Sequence, residues 1–144
     1  MRAPVDLSSP EAAAFSMMRA MYQGDAEMVD QVFLEGGQLR RVSDAGELGE
    51  NGRSSWRDWV DSLDIGEAHE EIFGVTSETF GNLASVWAPF VLTYKGEIVG
   101  CGVNQMTMAK VDEAWRIVFV MDTQAPKDTC ATFKESYSNT RGDE

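Results

Sequence analysis

Residues 82–123 decide most of what this chain can fold into. "NLASVWAPFVLTYKGEIVGCGVNQMTMAKVDEAWRIVFVMDT" is a succession of long apolar stretches separated by the short turns Lys95-Gly96 and Asp112-Glu113. Long β-prone runs joined by tight turns make antiparallel hairpins. Strands are expected over about 82–94, 98–111 and 115–123, with another at 71–79 closed by a turn at Thr79-Phe80-Gly81. At about 3.3 Å per residue the two central strands would each exceed ~40 Å, too long for a flat sheet in a small domain, so they must curve. Gly100 and Gly102 are the positions where a bend or bulge costs least.

The first half reads as helices. Ser9 can cap a helix that has Pro10 at its first position and Glu11 at the positive end of its dipole. That helix should run over residues 10–23 and stop at Gly24, burying Ala14, Met17, Met18 and Met21. Asp25 caps a second, short helix reaching about Gln31, and two glycines in "VFLEGGQLRRV" suggest a turn between short extended pieces. After the loop "SDAGELGEN", a third helix should start from Ser54 or Ser55, with Asp58 as capping-box partner to Ser55. Its apolar face carries Trp56, Trp59, Val60 and Leu63.

Helices followed by a long meander give an α+β fold in which helices cover one face of a curved antiparallel sheet. A sheet curled around helices that do not fill its hollow leaves a ligand cavity. Period-two alternation splits the first central strand into the row Ala84, Val86, Ala88, Phe90, Leu92 and the row Leu83, Ser85, Trp87, Pro89, Val91, Thr93. The first is unbroken and apolar, as a concave wall requires, so Trp87 and Pro89 point outward. An outward tryptophan beside Leu83 and Val91 is an apolar patch of the kind that marks an interface, and a homodimer contact through Trp87 and Val91 is expected. On the next strand the inward row is Gly100, Gly102, Asn104, Met106 and Met108; Asn104 must find a hydrogen-bond partner, in the protein or on a ligand. On the last strand two rows compete, Arg116, Val118, Val120, Asp122 and Trp115, Ile117, Phe119, Met121, and both are apolar enough to face inward.

At 144 residues the chain fits one domain spanning 1–144, with an ordered core over about 10–123 and an irregular polar tail over 124–144. Its net charge of -12 repels phosphate backbones and anionic lipid, which argues against nucleic acid and membrane surfaces as partners. Nine acids in residues 44–71 (Asp44, Glu47, Glu50, Asp58, Asp61, Asp64, Glu67, Glu70, Glu71) against Arg53 and Arg57 read as a solvated face. The N-terminal stretch lacks the apolar core of a secretory signal, and no apolar run could span a bilayer, so a cytoplasmic location is expected. Cys101 reads as a small core residue of a strand and Cys130 as an exposed thiol of the tail.

No cofactor is implied. His69 is the single histidine, and His-Glu-x-x-His fails because position 73 is Phe; no Cys/His cluster suggests a metal. "GCGVNQ" lacks the third glycine and the helix of a dinucleotide loop, and no nucleophile elbow or phosphate-binding loop occurs. The tripeptide Arg141-Gly142-Asp143 is a chance match to an adhesion motif.

The order of these pieces resembles the nuclear transport factor 2-like superfamily, the cone-shaped α+β fold shared with SnoaL-like polyketide cyclases, ketosteroid isomerases and scytalone dehydratase. The resemblance rests on "MYQGDAEMVDQVF", "GRSSWRDWVDSL", "GNLASVWAPFVLTYKG" and "GCGVNQMTMAKVDEAWRIVFVMDT", and covers the chain from about Glu11 to Thr123. The nearest pattern is that of bacterial SnoaL-like proteins, a group also described as lumazine-binding. Members often carry a histidine where this chain has Gly100, so a role resting on it does not transfer. The isomerases' tyrosine, basic aspartate and protonated aspartate match Met17, Arg41 and Asn104 here. With the base missing, a steroid isomerase mechanism is not implied. The same matching favours the Asp122 row as inward.

These readings combine into a pocket for a flat apolar molecule, walled by Met17, Trp56, Trp59, Phe90 and Met106, with Arg41, Asn104 and Asp122 as its polar groups. If catalytic, it would isomerise, dehydrate or cyclise, with Asp122 as base under a raised pKa and Asn104 or Arg41 steadying an enolate. The structural alternative for Asp122 is a salt bridge or a strand-end hydrogen bond. The alternative is a dimeric interaction module whose hollow its own side chains fill. An open cavity containing Asp122 separates the two.

Overall fold

The computed structural model describes residues 4–141. Helix α1 (Pro10–Gln23) starts where the sequence indicates: Ser9 Oγ accepts from the Ala12 N–H at 3.0 Å. It ends at Gly24, whose φ of 63° lies in the left-handed region and where a Cβ would stand 2.2 Å from the Leu63 carbonyl oxygen. Only glycine meets both demands. The buried face of α1 includes Ala13, Ala14, Met17, Met18 and Met21. Asp25 caps α2 (Ala26–Val32) by accepting from Met28 N–H.

Helix α3 (Arg53–Asp61) does not start as expected. It is preceded by Gly52 and has no side-chain cap; Ser55 Oγ donates instead to the Gly52 carbonyl. Asn51 Oδ1 accepts from the Arg53 N–H, and the Arg53 guanidinium donates to the carbonyls of Leu34 and Gly37 while lying over the Phe33 ring. The helix is thus tied to the neighbouring strand, with Val60 and Leu63 buried and Trp56 and Trp59 half-buried.

The six-stranded sheet comprises β1 (Phe33–Arg41), β2 (Ala68–Ile72), β3 (Thr76–Phe80), β4 (Leu83–Tyr94), β5 (Glu97–Val111) and β6 (Ala114–Gln124), in the order β1-β6-β5-β4-β2 with β3 also on β4. The β4-β5-β6 meander is the one the sequence predicts. Two details differ. "VFLEGGQLRRV" is one strand running parallel to β6, its glycines forming a bulge between Phe33 and Gln38 rather than a turn. The expected strand over 71–79 is two pieces broken at Phe73-Gly74-Val75, each pairing antiparallel with a different half of β4.

The long strands bend at their irregular points. The β4–β5 register slips between Leu92 and Thr93, close to Gly100. At Gly102 a Cβ would meet the Thr123 carbonyl oxygen at 2.0 Å, so the close approach of β6 excludes any side chain. The row Ala84, Val86, Ala88, Phe90 is buried beneath the helices, as are Gly100, Gly102, Asn104, Met106 and Met108. On β6 neither predicted row is right throughout. An extra residue, Val118, interrupts the ladder between the Met108–Ile117 and Thr107–Phe119 pairs. The bulge switches parity, so Trp115 and Ile117 are buried before it and Val120 after it, with Asp122 in step with Val120.

The C-terminal segment corrects the expectation of an irregular tail. A 3₁₀ turn (Lys127–Thr132) leads into α4 (Phe133–Arg141), which lies on the convex side of the sheet. Phe133 and Tyr137 meet the Phe73 ring edge-on at 6.1 and 6.0 Å, Lys134 Nζ lies 2.7 Å from Glu71 Oε2, and Trp87 Nε1 donates to Tyr137 Oη at 2.7 Å. Pro89 faces outward as predicted yet is buried, while Trp87 stays 41% exposed. Residues 142–144, and with them most of the 141–143 tripeptide, lie outside the described residues.

Cys101 and Cys130 are neither a lone core residue nor an exposed thiol: both are buried and form a disulfide, with Cα atoms 5.5 Å apart. Their separation of 29 residues, in a strand and in a turn that packs on it, left no local signal. Disulfides persist in oxidising surroundings and are rare in the cytosol, which weighs against the location read from the N-terminus.

Candidate functional site

Between α1, α3 and the concave face lies a cavity of about 460 Å³. Each element contributes from its inward row. Met17 and Met21 come from α1, Leu39 and Arg41 from β1, Trp56 and Trp59 from α3, Glu70 from β2, Leu92 from β4, Asn104 from β5 and Asp122 from β6, while Arg40, Gly49, Glu50, Gly52 and Ser55 complete the lining. The wall is mostly apolar and aromatic, with Tyr94 set behind Trp59 at a ring distance of 6.0 Å. Two polar pairs mark it, one at its exposed side and one at the buried amide of Asn104.

The first pair is Arg41 and Asp122, opposite each other where β1 meets β6. Arg41 Nε and Nη2 donate to Asp122 Oδ1 and Oδ2 at 2.9 and 3.0 Å, the fork geometry that matches a guanidinium to a carboxylate. These hydrogen bonds raise the guanidinium's pKa further above its usual value. Asp122 is therefore engaged through both oxygens, not waiting as a base.

The second pair is Asn104 and Glu70. Asn104 Nδ2 donates to Glu70 Oε2 at 2.8 Å, which answers where the buried amide finds its partner. Glu70 keeps some exposure as a residue, but protein surrounds its carboxyl, and burial pushes it up to about 7. The Asn104 hydrogen bond acts against that rise, the Asp122 charge adds to it and the Arg41 charge opposes it. Glu70 Oε1 has no hydrogen-bond partner among the described residues, and Glu70 lines this cavity as well as a second depression beside Met18, Tyr22 and His69. A carboxyl near neutrality with one free oxygen in an apolar cavity can accept or deliver a proton.

Of the eight residues predicted to form the pocket, Met17, Arg41, Trp56, Trp59, Asn104 and Asp122 line it together. Phe90 and Met106 do not: both are fully buried in the core beneath, and Met21, Leu39 and Leu92 supply the apolar wall instead. Glu70 was missed. It sits in an acid-rich run that reads as solvated, yet its flanks carried the signal: Ala68 and Ile72 are buried, and period two places Glu70 with them. His69, on the other parity, is exposed and lies edge-on to Tyr22. Among the described residues no group of three or more His, Cys, Asp or Glu could hold a metal ion.

No protein-family model matches the chain, and no curated protein does. Solved structures match along most of its length. A protein of unknown function with a cystatin-like fold from Nostoc punctiforme superposes with a TM-score of 0.63 at 12% identity, covering 81% of this chain and 88% of that one. A candidate dehydratase of the nuclear transport factor 2-like family from Streptomyces avermitilis gives 0.61 at 16% identity, with 84% and 96% covered. The chain has the nuclear transport factor 2-like fold. The association domain of C. elegans CaMKII gives 0.59 at 16% identity, with 76% and 88% covered. No helix among the described residues is long and apolar enough to cross a membrane.

Proposed function

We propose that the protein binds a small, flat, largely apolar molecule in this cavity and exchanges a proton with it through Glu70. The observation that carries the reading is the Glu70 carboxyl, enclosed, held near neutrality and free at Oε1 within an aromatic cavity. A base of matched proton affinity serves isomerisation, dehydration or cyclisation, each of which moves a proton off one ligand atom and returns it to another. Glu70 replaces Asp122 as the proton acceptor, and the Arg41–Asp122 pair fixes charge beside it. This chemistry agrees with the SnoaL-like affinity of the sequence motifs and with the candidate dehydratase among the structural neighbours.

The reading includes a second copy of the chain on the convex face. Val42, Trp87, Val103, Phe119 and Met121 line a shallow apolar groove there, beside α4. The contact is centred on Trp87 and moves away from Val91, whose β5 neighbour Cys101 carries the bridge to the C-terminal segment.

Native mass spectrometry of the purified protein tests both parts. A retained molecule of a few hundred daltons, absent from Trp59→Ala, and a dimeric mass are expected. An empty cavity that also gives no thermal shift with any member of an aromatic carbonyl library would overturn the ligand reading; a monomeric mass would overturn the dimer.

A further inference from the structure

The charges around the cavity have a consequence for its occupant. Asp122 is satisfied by Arg41 through both oxygens, and that pair cancels its own charge. The cavity side of α1 presents Met17 and Met21, that of α3 presents Ser55, Trp56 and Trp59, and β4 presents Leu92, none of them charged. Arg40 and Glu50 at the lining's edge are of opposite sign, and Arg40 Nε is held by the Gly49 carbonyl at 2.7 Å. What remains on the floor is the Glu70 carboxyl, whose hydrogen bond comes from a neutral amide. Beside it, Asn104 Oδ1 also has no partner among the described residues, and Asn104 lines the same cavity. At the buried pair the groups without a partner, Glu70 Oε1 and Asn104 Oδ1, are therefore both hydrogen-bond acceptors, while the Arg41 guanidinium stands at the exposed side.

We propose that the cavity selects an aromatic molecule carrying a protonated nitrogen, whose N–H donates to Glu70 Oε1 while its ring lies against Trp56 and Trp59. A desolvated carboxylate without a cation is costly, and a ligand ammonium or protonated ring nitrogen supplies the missing charge. Tryptophan faces attract cations through their quadrupole, so the same wall that packs the ring also favours its charge. The chain's net charge of -12 concentrates cations near its surface and excludes anions. When Glu70 is protonated, a neutral nitrogen accepts its proton, giving the same ion pair with no other reactant. This inference names the ligand class of the cavity proposed above and rests on that reading.

Three probes with one ring system test it: 2-naphthylmethylamine (protonated in solution), 2-naphthylmethanol and 2-naphthoate, titrated calorimetrically at pH 8. The amine should bind about tenfold or more tightly than the alcohol, as a charge-assisted hydrogen bond implies, and the carboxylate most weakly. Glu70→Gln, verified as folded by its thermal transition, should bring amine and alcohol together. In the unmodified protein at pH 7, amine binding should release protons to the buffer, seen as a dependence of the heat on buffer ionisation enthalpy. Binding of the alcohol or carboxylate as tight as that of the amine, or an amine preference that survives Glu70→Gln, overturns this inference and leaves the cavity reading standing. Failure of all three to bind overturns this inference, and together with an empty cavity and no thermal shift from the carbonyl library it overturns the cavity reading as well.

Discussion

Asn104 Nδ2 donates to Glu70 Oε2 across the concave face of β4, joining the long strand β5 to the short edge piece β2. The bond fixes one carboxylate oxygen and leaves the other for the cavity. Of the two fates the sequence left to Asn104, a partner in the protein or a ligand, its Nδ2 has the first.

Glu70 should make the fold less stable as the pH rises. Its pKa is about 7 in the folded protein against an ordinary 4.5, so between those values the folded chain holds a proton that the unfolded chain has lost. Stability then falls with pH from about 4.5 and levels off above 7, a loss of at most roughly 3 kcal/mol. Thermal unfolding of the unmodified protein and Glu70→Gln between pH 4 and 9 should show this slope only in the former.

Replacing Asn104 with Leu keeps the volume and removes the donor. The Glu70 titration, followed by carbon NMR of its carboxyl, should move upward. Denaturant unfolding should show a loss of about 1–3 kcal/mol at pH 8, where the carboxylate would be charged without its hydrogen bond, and a smaller loss at pH 5.

Arg41 and Asp122 should act on Glu70 with opposite signs. Asp122→Asn removes a neighbouring negative charge and should lower the Glu70 titration, whereas Arg41→Gln removes a positive one and should raise it. Shifts of the same sign in the two variants, read by the same NMR signal, would show that the pair does not tune Glu70 through charge.

The bridge between Cys101 and Cys130 should be visible as an absence of free thiol in the denatured, unreduced protein, with a gain of two mass units on reduction. A link closing a loop of this length contributes about 2–4 kcal/mol, so Cys130→Ser should lower the denaturation midpoint accordingly. Two titratable thiols under oxidising preparation would refute the bridge.

The parts of the fold written in repetitive patterns were readable from the chain itself. The α1 boundaries followed from Ser9, Pro10 and Gly24, and the inward rows of β4 and β5 followed from period two. What was not readable depended on contacts between distant segments or on broken periodicity. The C-terminal arm looks irregular because its apolar residues, Phe133 and Tyr137, find their partner in Phe73, sixty residues earlier. Glu70 was hidden among acids whose side chains do face water. The cap of α3 was misjudged because Arg53 ties the helix to the β1 bulge, an attachment that a serine pattern does not disclose.

The extra residue at Val118 carries a wider implication. Upstream of it one parity of β6 is sheltered, downstream the other, so the bulging of this one position determines that Asp122, and not Met121, meets Arg41. Excision of Val118 would leave a continuous ribbon with Ile117, Val120 and Asp122 still on one side, whereas pairing Val118 into a regular ladder would turn the acid away from its arginine. In such a cone the chemistry of the interior can be rewritten by whether a ladder absorbs a residue or lets it bulge, without exchanging one amino acid for another.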